Sequence, residues 1–129
     1  MLNPSTADEY VDDRTVVRCM GYAEREGYDG ILLLNLYAYI SAYPAELWTC
    51  GDAVGPENDA TLRTALTEQV RRGAPVVAGW GAYAEPERVA QVLSLVQGVD
   101  WRCLGVTQTG APRHPSRRRL DEPLVPFGV

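Results

Sequence analysis

The chain of 129 residues is 46% hydrophobic and 22% charged, the proportions of one globular domain with a single core spanning residues 1–129. Its formal charge of −5 argues against a broad duplex-binding surface, because that affinity rests on neutralising phosphates. The longest apolar run, residues 31–34, is far below the roughly twenty residues that cross a bilayer, and no secretory signal precedes it. A cytoplasmic protein with no membrane contact is expected.

Taken in order, residues 5–10 read as polar loop. Asp12 or Asp13 can cap a helix with Val16, Val17, Met20 and Ala23 at helical spacing, and Gly27 can end it. Residues 30–39 read as a strand whose first half is continuously apolar, as in a parallel sheet covered on both faces. Pro44 and Gly51 punctuate the loop that follows, with a short helical turn over residues 45–48. A second helix is predicted from Pro56 to Arg72, with Ala60, Leu62, Ala65, Leu66 and Val70 inward and Gly73 as the stop. Residues 75–80 form the next buried strand, residues 86–98 a third helix through Val89, Val92, Leu93 and Val96, and residues 101–106 a further strand. Everything after Thr107 reads as loop. Strands alternating with helices predict a three-layer α/β sandwich with a short, mainly parallel sheet.

Cys19, Cys50 and Cys103 are odd in number and dispersed, without metal-ligand spacing, so buried free thiols and no metal are expected. All twelve basic residues are arginine. Residues 1–60 carry eleven acids against three arginines, whereas residues 61–129 carry nine arginines against six acids. Arg113, Arg117, Arg118 and Arg119 crowd around His114, the only histidine. The cluster reads equally well as a solvated loop and as phosphate-matching forks.

Four short strings carry polar groups at successive strand ends: Leu2-Asn3-Pro4-Ser5, Leu32-Leu33-Leu34-Asn35, Trp80-Gly81 and His114-Pro115-Ser116. Ligands of open α/β sheets bind beyond the carboxyl ends of the strands. Turn chemistry alone explains Gly81. Asn35 follows buried aliphatics and must find hydrogen-bond partners, and an amide's paired donor and acceptor also suit a nucleobase edge. Pro115 holds His114 extended, with Ser116 next in line.

The four strings, in this order, resemble the motif series of the uracil-DNA glycosylase superfamily. With Met1-Leu2-Asn3-Pro4-Ser5-Thr6-Ala7-Asp8 and Gly55-Pro56-Glu57-Asn58-Asp59 the chain resembles more closely a bacterial and phage family labelled only as a domain of unknown function. The superfamily resemblance implies a DNA-repair type of hydrolase that cleaves an N-glycosidic bond in DNA or a modified nucleotide, with no cofactor. It implies that Asn3, with Asp8 as a substitute base, positions water and that His114 stabilises the departing base. Asn35 would read the base, Pro4, Ser5, Tyr37 and Ser116 would line the pocket, and Leu120 would serve as an apolar wedge. Active members carry an acid where this chain has Asn3, so slow turnover or none is expected. The rival readings are a non-catalytic nucleobase or nucleic-acid-binding module and a small-molecule hydrolase or lyase using the same cleft. Only Met1 and Leu2 precede the first string, so the leading strand is expected to be truncated and the chain to be marginally stable or self-associating.

Overall fold

The computed structural model describes residues 1–4, 9–41, 43–116 and 118–128, with side chains in the first helix described from Arg14 onward. It is a mixed α/β arrangement: helix α1 (Glu9–Arg25), a 3-10 turn (Pro44–Trp48), helix α2 (Asn58–Arg72), strand β1 (Pro75–Ala78), helix α3 (Pro86–Leu93), strand β2 (Asp100–Cys103) and strand β3 (Val125–Pro126). No helix among the described residues is long and apolar enough to cross a membrane.

The stops are glycine-made, as the pattern predicts. Gly27 takes φ 85° and closes α1 through its N–H to Glu24 O at 3.0 Å. Gly73 takes φ 67° after α2, with Ala74 N–H reaching back to Gln69 O; an L side chain resists that left-handed turn. Pro86 opens α3 at its first position, where the missing N–H costs nothing. The helix ends at Leu93 rather than near Gly98, because Ser94 turns its hydroxyl to Gln91 O at 2.9 Å and caps the last turn.

The sheet is small and mixed rather than mainly parallel. β1 runs parallel to β2, pairing Val76 with Trp101 and Ala78 with Cys103; β3 lies antiparallel to β2, pairing Cys103 with Val125. The segment after Thr107 is therefore not all loop. Its last described residues complete the sheet, and Val106 makes a further bridge to Pro112. Before that, the carbonyls of Arg118, Arg119 and Leu120 accept from Arg18, Tyr22 and Arg25 of α1, which ties the tail to the first helix.

The core gathers Leu2, Leu36, Tyr37, Leu47, Leu62, Ala78, Trp80 and Val92. Trp80 meets Trp101 and Phe127 edge to face, at centroid distances of 6.2 and 5.6 Å, the favoured geometry for aromatic quadrupoles. Helix α1 turns in a face shifted from the one expected: Val16 and Ala23 are half-buried as expected, Tyr22 is buried and Cys19 half-buried beside them, and Val17 and Met20 lie in solvent.

Residues 30–39 are extended but form no regular strand. Leu36 and Tyr37 donate to Met1 O and Leu2 O, and Ala38 and Tyr39 donate to Val54 O and Ala53 O. Residues 29–33 have no backbone partner among the described residues, and Leu32 is 67% exposed. The expected two-faced burial is missing because no described residue fills the slot between this segment and β1.

The Met1 amine is buried against Leu34 O at 2.9 Å, and desolvation holds it at about 6, with the nearby Cys19 side chain opposing the shift. The folded state disfavours the ammonium, so the unfolded chain binds more protons between pH 6 and 8 and stability rises with pH across that window. Acidification from pH 8 to 6 should therefore cost the free-amine chain about 2 kcal/mol. Amino-terminal acetylation should flatten this dependence, read by urea denaturation at both pH values.

Candidate functional site

Two glycines at the carboxyl end of β1 allow the loops to close on one another. A Cβ at Gly79 would lie 3.2 Å from Pro115 Cδ and 3.5 Å from Met1 Sδ. Gly81, at φ 78°, donates its N–H to Pro112 O at 2.9 Å and backs onto the His114 Cβ. The turn that Gly81 supplies thus also seats the histidine loop. Met1 bridges to the second string, since it takes the Leu36 N–H at its carbonyl and gives its own nitrogen to Leu34 O. Met1 thus meets the second string through its backbone and Gly79 through its side chain, and Gly79 also meets the Pro115 ring.

His114 has a defined proton arrangement. The Ser116 backbone N–H donates to Nδ1 at 3.1 Å, and Ser116 Oγ lies 2.8 Å from the same nitrogen. A backbone N–H can only donate, so Nδ1 is an acceptor and the neutral ring carries its hydrogen on Nε2. Burial, aided by the charge of the Met1 ammonium, holds the ring below its ordinary pKa, so it is neutral at pH 7. The result is a fixed N–H donor.

Asn3 does different work from that expected of a water-positioning group. Its Nδ2 lies 3.0 Å from each of the carbonyls of Pro4, Tyr39 and Ser41. Two hydrogens shared among three acceptors clamp the loop over residues 39–41. Pro4 belongs to the same clamp, its carbonyl also taking the Ser41 N–H at 2.9 Å. No described residue hydrogen-bonds Asn3 Oδ1. Ser5, Asp8 and Arg117 lie outside the described residues.

Asn35 is half-buried, and its side-chain amide makes no hydrogen bond to another described residue. Its backbone is fixed from behind. Asn58 Nδ2 donates to both Asn35 O and Leu36 O at 3.0 Å, and Arg88 Nε donates to Leu36 O at 2.8 Å. Arg88, only 4% exposed, also stands 2.8 Å from Asp59. Sequence reasoning gave none of these three a role, although the polar string at the start of α2 contains both Asn58 and Asp59. Gly55, just before it, takes φ 87° with Ala38 Cβ where its own Cβ would be, at 2.9 Å. The string packs its turn directly under the segment that presents Asn35.

Tyr37 is buried, its ring edge-to-face with Trp48 at 5.7 Å and its hydroxyl accepting the Glu85 N–H. It lines a separate cavity of about 430 Å³ with Trp48, Asp52 and Glu85. Trp80 is likewise a core residue. The arginines are mostly spoken for: Arg118 pairs with Glu122, and Arg119 with Asp121 at 2.9 Å. Arg113 runs its stem along Gly105 and has no ion-pair partner among the described residues. Leu120 rests one methyl on Gly21 of α1, 3.0 Å from where a Cβ would stand, and is otherwise exposed.

Fold and loops together define a mixed α/β protein in which the loop carrying His114 and the chain start at Met1 meet at Gly79, just past the end of strand β1; Asn35 lines the slot beside β1, and Asn3 and His114 do not line it. The chain belongs to the family described as Protein of unknown function (DUF1643), whose profile matches residues 1–116. No curated protein and no solved structure matches it, and the likeness to uracil-DNA glycosylases rests on the four strings alone.

Proposed function

We propose that this loop cluster recognises a nucleobase and that the protein hydrolyses an N-glycosidic bond in DNA or in a modified nucleotide, on a three-layer sandwich of the uracil-DNA glycosylase type. The supporting observation is the neutral His114, whose Nε2–H is fixed by the two Ser116 contacts at Nδ1. In such a reaction water adds to C1′ of the sugar, the C1′–N bond breaks, and its electron pair leaves with the base as an anion. A preorganised neutral donor aimed at a base oxygen stabilises that anion as it forms. Asn35, held by Asn58 at its carbonyl, would read the base edge with its amide, which no described residue takes. Asn3 Oδ1 would accept from the attacking water, and Asp8 would take the proton. Arg113 would meet a phosphate.

The clamp made by Asn3 favours a second reading, a binding module without turnover, because an amide committed to three carbonyls has little left for activating water. Oligonucleotides bearing uracil, mismatches or modified bases, tested beside free nucleotides for base release and for binding, separate the readings. Release of one base class, reduced at least about tenfold by Asn35→Ala, supports the hydrolase, since a lost base-edge pair is worth roughly 1–3 kcal/mol. Selective binding without release supports the module. Neither binding nor release with any of these compounds contradicts both.

A further inference from the structure

A slot of about 800 Å³ lies between residues 31–34 and strand β1. Both long sides are unfinished sheet edges. β1 is paired on one side only, by β2, and residues 29–33 offer backbone N–H and C=O groups that no described residue takes. The walls carry apolar side chains left in water: Ile31, Leu32, Leu33 and Val77 are all exposed. An open edge flanked by unburied aliphatics is the arrangement that a further strand completes.

Met1 identifies which strand. Its nitrogen lies 2.9 Å from Leu34 O, and its carbonyl takes the Leu36 N–H at 3.0 Å, the bonding pattern of a parallel pair with Met1 opposite Asn35. On the other flank its sulfur packs where a Gly79 Cβ would stand, just past the end of β1. Met1 therefore sits at the carboxyl mouth of the slot, between its two edges. A backbone leading into Met1 runs back along the slot, parallel to both sides. The buried ammonium is a poor occupant of this position, since burial pushes its pKa down to about 6. An amide nitrogen there would have one hydrogen, and Leu34 O satisfies it.

We infer that the slot is a strand-acceptor site, filled by an apolar segment of about four residues, the length of β1, that covalently precedes Met1 and runs parallel between residues 31–34 and β1. A strand from a second copy would meet the Met1 ammonium at the carboxyl mouth and would lose translational freedom on entry, which a covalently attached segment does not. The inference is independent of the chemistry proposed for His114.

The test compares the 129-residue chain with two extended forms. One carries about four alternating valines and isoleucines ahead of Met1, and the other the same length with prolines at alternate positions, which cannot complete the ladder. Hydrogen exchange, melting temperature and light scattering are read on all three. The apolar extension should slow amide exchange in residues 31–34 and in β1 at least about 100-fold. It should also raise the melting temperature by about 10 °C and suppress self-association. The proline form should match the unextended chain. Equal exchange and equal melting in the two extended forms would overturn the inference, as would aggregation of the apolar form without protection of these amides. Protection of the same amides in the unextended chain, together with a dimer mass, would give the slot to a second copy and overturn the covalent assignment.

Discussion

Replacing Arg88 with methionine should lower the unfolding free energy by about 3 kcal/mol, the low end of what breaking a buried ion pair costs. Arg88 is a charged side chain in the core, and its donors hold Leu36 O and Gln91 Oε1 at 2.8 and 3.3 Å. Its pairing with Asp59 is a close contact rather than an aligned hydrogen bond, since Asp59 Oδ1 makes none. Asp59 is 48% exposed and can return to water when the arginine is gone, and Asn58 still covers the Leu36 carbonyl. Both features keep the loss from reaching 5 kcal/mol. Lysine at this position should recover only part of it, because an ammonium cannot reproduce the Nε bond and the paired fork together. Urea denaturation at constant m-value reads the difference. A change under about 0.5 kcal/mol, the scale of ordinary surface substitutions, would show that Arg88 is not structural.

His114→Ala should lower base release by about 10²–10³ while leaving substrate binding within a fewfold of the parent, because its proposed hydrogen bond strengthens as charge develops on the base. The pH profile follows from the ring's environment. Burial lowers its pKa, so the neutral donor persists through pH 7 and release should be flat there. Release should fall as the pH drops through a midpoint below the ordinary histidine value, when a proton on Nδ1 displaces the Ser116 N–H. Single-turnover rates from pH 5 to 8 would read it. Equal loss of binding and rate in His114→Ala would instead assign the ring a purely structural part.

The sequence made the helix stops and starts easy to read. Gly27 and Gly73 end helices because each must adopt a positive φ, and Pro86 starts one because its ring presets the helical turn. The inward face of α1 is legible in part: Val16 and Ala23 are half-buried, but Val17 and Met20, which follow the same helical period, are exposed because the tail fixes the rotation through Arg18, Tyr22 and Arg25. No local pattern in α1 contains that tail. The same holds for β3, which is two residues long and forms only because β2 offers an edge. Residues 31–34 read as a buried strand, and their composition still fits one; no described residue supplies the partner edge. At the site, His114 and Ser116 were legible as neighbours, and their hydrogen bonds are local. Asn3 was legible only as a polar group near a proline, since its acceptors at Tyr39 and Ser41 are remote in sequence. Arg88 was hidden for the same reason, a surface-like residue type on a short helix whose partners come from two other segments.

The lone histidine permits a direct test of the nucleobase site. With ¹⁵N-labelled protein, the imidazole signals belong to one residue, so each ring nitrogen can be followed while uracil, cytosine, adenine and guanine nucleosides and short oligonucleotides are added. At pH 7 the free protein should show a neutral ring with its hydrogen on Nε2. One base class should shift the Nε2 signal saturably, and that shift should vanish in Asn35→Ala while the Nδ1 signal stays near its starting value. A ring protonated on Nδ1 in the free protein, or no response to any nucleobase, nucleotide or oligonucleotide, would contradict a nucleobase-directed site at His114.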